Sequence, residues 1–382
     1  MILRALTAAS VLSLAVDSVT AQTVRTISGS VAACESCALE VTKIVTIGRA
    51  TDSVLVMNAS TIAADSRGGF YVGPVSTPGA IAVYDSSGAL LGTIGRQGSG
   101  PGEFGEIVAV WVGHGDTLFV LDARPRRLTV LSPEHRIVRT AAIGLQSAFR
   151  HTLPDGRLVI PGRVLSPDRV GRPLHLYAPD GRFLRSFGRT QAALGVRPPV
   201  TTSVVGGGQG DQFWVAYQGR YALELWTADG NQPIRTLVRT IDWFPVHEPR
   251  LPAFGEDGAP LPQVIGLQES RAGLLWVTVA IADTAWLRSR GDEKFGRETC
   301  PPRQVCPTYV PPTGDLYRVF DGRIEIIDPV SARLLMTRSL PGPALFVRPP
   351  TGDAAMLSTI REDAGGHLQF DVWSIRLIRP KQ

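Results

Sequence analysis

The chain has 382 residues, of which 44% are hydrophobic and 19% charged, a composition typical of a packed globular protein and not of a disordered one. Its formal net charge is +5, but only three of its 39 basic residues are Lys and no dense basic cluster occurs, which argues against nucleic acid as a partner. No apolar run reaches the roughly 18–20 residues that a membrane-spanning helix needs, so no membrane span is predicted.

Residues 1–21 have the three parts of a secretory signal peptide. Arg4 provides the positive start, residues 5–16 form a short apolar stretch, and Val19-Thr20-Ala21 is a small-residue cleavage site. The apolar stretch is too short to span a bilayer. We therefore expect the mature chain to begin near Gln22 and to be exported, to the periplasm or the extracellular space.

The next segment, residues 22–37, carries a close pair of cysteines. Val31-Ala32-Ala33-Cys34 has the residue types of a bacterial lipoprotein box. In such a box the modified cysteine directly follows the apolar stretch, whereas here the polar residues 22–30 lie between the two. Lipidation of Cys34 is therefore the less favoured alternative.

The four cysteines form two local pairs, Cys34 with Cys37 and Cys300 with Cys306. An even number in an exported protein predicts disulfides, for which three connectivities exist, and bonding within each local pair is the simplest. A zinc site made by all four thiolates is the alternative if the two pairs lie close together. With two disulfides, the mature protein would have no free thiol.

The remaining chain, residues 38–382, repeats one β-rich pattern. An apolar triplet follows a turn rich in Gly and Asp, and a hairpin with alternating apolar residues comes next. The triplets are Phe70-Tyr71-Val72, Leu118-Phe119-Val120, Leu158-Val159-Ile160, Phe213-Trp214-Val215, Leu275-Trp276-Val277 and, more weakly, Leu368-Gln369-Phe370. Helical spacing of apolar residues is nowhere sustained over three turns, so the pattern predicts a row of four-stranded β units.

Five units are complete, whereas the sixth, with strands near 356–361 and 368–378, lacks its closing strand. A spare strand is predicted at the other end of the chain, over residues 38–48. Radial repetition of such units is a β-propeller. The sequence therefore predicts an all-β fold, a single six-bladed β-propeller domain over residues 38–382 in which the N-terminal strand closes the C-terminal blade.

The segment Gly95-Arg96-Gln97-Gly98-Ser99-Gly100-Pro101-Gly102-Glu103-Phe104 resembles the signature between blades of NHL-repeat propellers. Its glycines permit a strained crossing between units, and Phe104 is placed to fill the gap between two blades. Over residues 38–378 the chain looks like a secreted bacterial member of the six-bladed NHL-repeat and TolB-like propellers. Many members of that group have no assigned activity, and the resemblance implies that the enzymes among them, lactonases and lyases included, hold a metal over the central channel.

Residues 283–314 interrupt the fifth unit with a long polar insertion that carries Cys300 and Cys306. Long loops inside compact domains are often functional. A tolerated surface insertion is the favoured interpretation, and a lid or a partner-docking loop is the alternative.

Candidate ligand contacts follow from the predicted blades, because the innermost strands of a propeller line its channel. The positions just before the turn signals give Arg150, His151, Glu269, Arg361 and Glu362. The planar guanidinium group of Arg holds its hydrogen-bond donors in a fixed geometry that matches a carboxylate or another small anion. The competing interpretation is a solvated ion network between these Arg and Glu side chains.

The sequence favours an exported, non-enzymatic binding or protein-interaction propeller, whose partner is an unknown protein or a small anionic ligand. It predicts no catalytic residues, no resident cofactor and no metal site. The alternative is a lactonase-like, metal-dependent hydrolase or lyase with its site over the channel. That alternative requires four side chains to converge at one channel mouth: His151, Glu269, Asp283 and Glu362.

Overall fold

A computed structural model describes residues 23–28, 33–143, 150–162, 172–188, 203–247, 259–283 and 319–379. The described residues form 27 β-strands and a short 3-10 turn at His114–Asp116. The strands of the first part are β1 (Thr23–Thr26), β2 (Ala38–Ile47), β3 (Val56–Ala64), β4 (Phe70–Val75), β5 (Ile81–Tyr84), β6 (Leu90–Ile94), β7 (Arg96–Gln97), β8 (Glu103–Phe104), β9 (Ile107–Val112), β10 (Leu118–Asp122), β11 (Arg127–Leu131) and β12 (Ile137–Ala142).

The strands of the second part are β13 (His151–Thr152), β14 (Leu158–Pro161), β15 (Leu174–Tyr177), β16 (Phe183–Phe187), β17 (Ser203–Gly207), β18 (Gln212–Tyr217), β19 (Arg220–Thr227), β20 (Arg235–Val238), β21 (Gln263–Glu269), β22 (Leu275–Ala282), β23 (Phe320–Asp328), β24 (Arg333–Leu340), β25 (Leu345–Thr351), β26 (Ala354–Glu362) and β27 (Leu368–Ile378).

Four blades are separate sheets of consecutive antiparallel strands, and we name each after its first strand. They are the β9 blade (β9–β12), the β13 blade (β13–β16), the β17 blade (β17–β20) and the β21 blade (β21–β24). The other long strands lie in one eight-stranded sheet. In that sheet the β3 group (β3–β6) and the β25 group (β25–β27 with β2) are joined by a single residue pair, Leu368 with Val56.

The first strand of each group lies toward the centre. β3 contacts β9, β13 contacts β17, β17 contacts β21, β21 contacts β25, and β25 contacts β3. Each group then extends outward by antiparallel hairpins. This radial arrangement is an all-β propeller, with a central channel lined by the innermost strands.

Strands in the middle of the blades are buried on both faces because neighbouring blades cover them. All five residues of β10 are buried, whereas the outer strand β6 has none that is fully buried. Strands that are covered on both faces have continuous apolar sequences. This explains the apolar triplets that recur along the chain. Between the β17 and β21 blades, Trp214 and Val277 share one core cluster. Burying a side chain of this kind stabilises the fold by about 1.5–3 kcal/mol.

The glycine-rich segment between β6 and β9 crosses from one group to the next, and β7 pairs there with β8 in parallel. Gly95 has a φ of +83°, and a Cβ at this position would lie 2.5 Å from the ring of Phe104. Phe104 is fully buried in a cluster with Ile81 on one side of the crossing and Val110 on the other. The prediction that Phe104 fills the gap between two blades is confirmed.

The N-terminal segment follows the outer edges of three sheets. β1 pairs with β20 as a parallel fifth strand of the β17 blade. The backbone N–H groups of Ser28 and Ala33 then donate to the carbonyls of Ala332 and Leu334 on the β21 blade, at 3.0 and 2.8 Å. Finally β2 pairs antiparallel with most of β27, from Ala38 opposite Ile378 to Ile47 opposite Phe370.

A disulfide between Cys34 and Cys37 precedes β2, with the two Cα atoms 5.3 Å apart. It confirms the prediction that this local pair is bonded. The Cys300–Cys306 pair, the predicted signal peptide of residues 1–21 and the predicted insertion beyond Asp283 lie outside the described residues. Within the described part of the chain, no helix has both the length and the apolar character needed to cross a membrane.

Candidate functional site

The innermost strands β9, β13, β17 and β21 end close together at one end of the channel. There β17 and β21 lie side by side, because Gly206 approaches the carbonyl of Leu267 and Gly207 approaches Gln268. Trp111 of β9 donates from Nε1 to Oγ1 of Thr152 on β13, at 3.0 Å. We call this region the channel mouth and define it by Trp111, Arg150, His151, Gly207, Gln268 and Glu269.

Arg150 is a half-buried cation at the channel mouth, directly before β13. Its Nη2 donates to the carbonyl of Val110 at 2.6 Å, and its guanidinium lies 4.6 Å from the centre of the Trp111 ring. That ring is itself stacked on Phe119, with the planes 8° apart. Removal from water lowers the pKa of Arg150 to about 9, which still leaves the side chain charged at neutral pH. The stacking and the backbone bond hold the planar guanidinium in one orientation.

His151 follows in β13 and lies against the β17 blade. Its Cε1 atom is 3.0 Å from the point where a Cβ of Gly207 would be, and Oε1 of Gln268 is equally close to that point. Desolvation lowers the pKa of His151 to about 4. The imidazole is therefore neutral at physiological pH and offers one donor and one acceptor.

Gln268 and Glu269 end β21, and both make contacts across to the β17 blade. The backbone N–H of Gly207 donates to Oε1 of Gln268 at 2.7 Å. The Glu269 carboxylate accepts a hydrogen bond from Nε1 of Trp214 at 2.7 Å. The structure therefore places Arg150 directly before and His151 in the innermost strand β13, and Glu269 at the end of the innermost strand β21. Their role as ligand contacts stays a prediction.

Arg361 and Glu362 lie elsewhere, and their predicted place on an innermost strand is wrong. They belong to β26, which is the second strand of its group because β25 lies between it and the channel. Arg361 donates from Nε to Oδ2 of Asp371 at 2.8 Å, and its side chain is 43% exposed. Asp371 also accepts from the Thr46 hydroxyl at 2.6 Å. These contacts link the side chains of the neighbouring strands β26, β27 and β2.

The four side chains required by the alternative enzyme are not gathered at one point. β21 runs from Gln263 to Glu269, and β22 returns so that Ala280 again lies opposite Gln263. Glu269 lies opposite Leu275, so Asp283 lies at the far end of the sheet from Glu269, roughly 25 Å away at the usual rise per strand residue. Among the described residues, no group of three or more His, Cys, Asp or Glu side chains is arranged to hold a metal ion.

A buried charge network that the sequence analysis did not predict joins the β17 and β21 blades. Glu325 of β23 is fully buried and accepts hydrogen bonds from the Tyr221 hydroxyl and Nη1 of Arg239, both at 2.5 Å, and from Nε of Arg323 at 2.9 Å. Trp243 lies against both guanidinium groups, 5.8 Å from that of Arg239 and 4.6 Å from that of Arg323. The sequence contains one signal for this network: a charged residue stands inside an apolar strand, in Ile324-Glu325-Ile326.

Three members of the channel mouth were also missed by the sequence analysis: Trp111, Gly207 and Gln268. Each lies in a strand whose sequence shows only the alternation of apolar and polar residues. That alternation predicts a strand but does not mark any of its residues as part of a site. One signal was available, because the pair Gly206-Gly207 stands inside a strand, where glycine often marks a close approach of another backbone.

Comparisons with known proteins agree with the β-propeller class. No family model matches the chain, and no curated protein is similar to it. A protein of Bacteroides fragilis NCTC 9343 that is described as exported has a TM-score of 0.53 at 12% identity, over 94% of this chain and 100% of that chain. A member of the DUF4221 family from Bacteroides vulgatus has a TM-score of 0.54 at 10% identity, over 90% of this chain and 99% of that chain. At such identities the likeness shows the fold alone.

Proposed function

We propose that this protein is an exported, non-enzymatic binding propeller whose ligand is a small organic anion held at the channel mouth. The observation that carries the proposal is the Arg150 guanidinium, fixed by Trp111 and the Val110 carbonyl where four innermost strands end. Because the guanidinium is already fixed in one orientation before a ligand binds, binding a planar carboxylate costs little additional side-chain conformational entropy.

The electrostatics of the site support an anion. Partial removal from water destabilises the charged form of Arg150, which is why its pKa falls to about 9. The attraction between this cation and an anion that enters the mouth is stronger in a poorly solvated place than in bulk water. The neutral His151 beside it adds hydrogen-bonding capacity without adding competing charge.

The architecture that we propose has six blades. The β25 group would form the sixth blade, with β25 innermost and β2 outermost, and the β3 group would be the first. Two observations support this division: β2 pairs along most of β27, whereas the β25 and β3 groups share only the pair Leu368–Val56. In this proposal residues 38–382 are one domain that resembles NHL-repeat and TolB-like propellers, and its N-terminal strand closes the ring.

Export is supported by the signal-like residues 1–21 and by the bonded pair Cys34–Cys37, since disulfides persist in oxidising compartments. The likeness to a Bacteroides protein described as exported points the same way. We therefore place the mature protein in the periplasm or outside the cell, where its ligand would also be found.

Titration calorimetry with acetate, succinate, galacturonate and phosphate tests the ligand class, using the wild type, Arg150→Gln and the control Arg361→Gln. The control removes an arginine of the β25 group that lies away from the channel mouth. We expect at least one carboxylate to bind, Arg150→Gln to weaken it about 10- to 100-fold, as for a lost charge-assisted hydrogen bond, and Arg361→Gln to leave it unchanged. The proposal is wrong if no anion binds the wild type, or if Arg150→Gln binds the anion as tightly as Arg361→Gln does.

A further inference from the structure

We infer that Trp243, Pro245, Val246 and Arg323 form a docking platform for a protein partner, and that the partner presents a carboxylate beside an apolar side chain. The platform has two parts. One is a guanidinium stacked on an indole ring, and the other is a short exposed segment that follows the indole in the chain. This surface lies outside the channel mouth, so it is independent of the anion site at Arg150.

The docking platform lies toward the other end of the blades from the channel mouth. Trp243 belongs to the segment that follows β20, and Nε2 of His247 in the same segment donates to the carbonyl of Pro262 at 2.8 Å, directly before β21. β21 then runs from Gln263 to Glu269 at the mouth, roughly 20 Å along the strand. Variants of the two sites therefore test two separate surfaces.

Arg323 is held in one orientation and keeps hydrogen-bonding capacity at the surface. Its Nε donates to Oε1 of Glu325 at 2.9 Å, and its guanidinium lies 4.6 Å from the centre of the Trp243 ring. Among the described residues, neither Nη1 nor Nη2 has a hydrogen-bond partner; neither atom is buried, and the side chain is 21% exposed. Because Nε faces the buried carboxylate, the Nη atoms are the part of the guanidinium that a ligand reaches from solvent.

The charge and the donors of the platform favour a carboxylate. Glu325 is shared between Arg323 and Arg239, so it does not fully neutralise Arg323, and the exposed Asp242 forms no ion pair with either cation within the described chain. Nε1 of Trp243 likewise has no acceptor in the part of the chain that the structure describes, and it is not buried. The Arg323 and Trp243 side chains therefore offer only donors, whereas a carboxylate offers only acceptors. The planar Nη edge also matches the two oxygens of a carboxylate.

The apolar part of the platform favours a protein over a small carboxylate. Val246 is 69% exposed, and Pro245 is exposed as well. Val246 follows Trp243 by three residues, so their Cα atoms lie within about 11 Å of each other. Phe244 between them is buried and packs on Tyr221 with the ring centres 5.4 Å apart, which fixes the segment on the β17 blade. Trp and Arg beside apolar side chains are typical of the central residues of protein interfaces.

A capped acidic peptide in which Glu and Leu alternate tests the platform, with the Gln analogue of the peptide and acetate as the other probes. Binding is followed by the indole N–H resonance of Trp243 in ¹⁵N-labelled protein, assigned with Trp243→Phe. We expect the wild type to bind the acidic peptide about tenfold or more tightly than the Gln analogue, as for a charge-assisted hydrogen bond. Acetate should bind more weakly than the peptide, because it reaches only the guanidinium.

Three variants separate the two parts of the platform. Arg323→Gln removes the charge and should abolish the preference for the acidic peptide. Val246→Ala should weaken the peptide about three- to tenfold through lost apolar burial and leave acetate unchanged. Val330→Ala is the matched control, because Val330 is 60% exposed in the turn between β23 and β24, and it should bind the peptide as the wild type does.

Protein docking at this platform is refuted if the acidic peptide leaves the Trp243 resonance unchanged, if the Gln analogue binds as tightly, or if Arg323→Gln keeps the preference. Equal affinities in Val246→Ala and Val330→Ala refute it as well, because the site would then bind only an anion. Loss of peptide binding in Arg150→Gln but not in Arg323→Gln would place the peptide at the channel mouth, which contradicts the platform and leaves the proposed function standing.

A second variant covers the case in which Arg323→Gln lowers the melting temperature through its contact with Glu325. Val246→Asp changes an exposed side chain outside that network and adds a negative charge to the platform. Repulsion between like charges should weaken the acidic peptide more than its Gln analogue. If Val246→Asp binds both peptides as the wild type does, the platform is not their binding site.

Discussion

Replacing Glu325 by Gln should destabilise the protein by several kcal/mol. The carboxylate is fully buried on β23 and bonded to Tyr221, Arg239 and Arg323. The Arg239 side chain is only 2% exposed, so the substitution leaves a buried cation without this carboxylate. Breaking a buried ion pair by removing one partner costs about 3–5 kcal/mol. Burial, and after it the adjacent Glu325 carboxylate, raise the pKa of Tyr221 well above its ordinary value, so its hydroxyl stays protonated and donates to Glu325.

Urea unfolding followed by tryptophan fluorescence measures this loss, with Asp353→Asn as the matched control. Asp353 pairs with Arg379 at the surface, and the two side chains are 42% and 44% exposed. An exposed pair of this kind contributes no more than about 1 kcal/mol. We therefore expect the midpoint of Glu325→Gln to fall clearly below that of Asp353→Asn at an unchanged slope. Equal free energies of unfolding for the two variants would refute the reasoning.

Three further results are expected. Deleting residues 22–50 removes β2 and exposes the edge of β27, so cooperative unfolding should be lost, and an unchanged melting temperature would contradict ring closure. Deleting only 22–26 removes the exposed strand β1, leaves the buried Ile27 in place and should have a small effect. Thiol titration of the denatured, unreduced mature protein should find no reactive cysteine, and two or four would count against two disulfides. Because desolvation lowers the pKa of His151 from 6.5 to about 4, the unfolded state binds more protons between these values, so stability should fall as pH decreases through this window. His151→Gln should flatten that dependence relative to wild type, and an identical slope would show that His151 is not its source.

Much of the fold could be predicted from the sequence because the repeating signals are local. Alternation with a period of two marks strands, Gly and Asp mark the turns between them, and apolar triplets mark strands that are covered on both faces. The same holds for Cys34 and Cys37, which are three residues apart, and for Phe104, which ends the glycine-rich crossing segment. These features need no knowledge of which strands become neighbours.

The tertiary structure decided which strand of the last group faces the channel. β25 has the sequence Leu-Phe-Val-Arg-Pro-Pro-Thr. Its two prolines argue against a strand when the sequence is considered alone. It tolerates them because an innermost strand is an edge and donates hydrogen bonds on one side only. With β25 overlooked, β26 took its place in the prediction, and Arg361 and Glu362 were assigned to the channel in error.

The channel mouth and the Glu325 network likewise depended on tertiary structure, because their members are distant in the sequence and meet only between blades. Arg150 reaches Trp111 on the blade before it, His151 reaches Gly207 on the blade after it, and Glu325 reaches Arg239. A strand's alternation determines which residues share a face, but the blade that packs against that face determines what they touch. The sequence by itself determined the repeating unit, and the packing of one unit on the next determined the site.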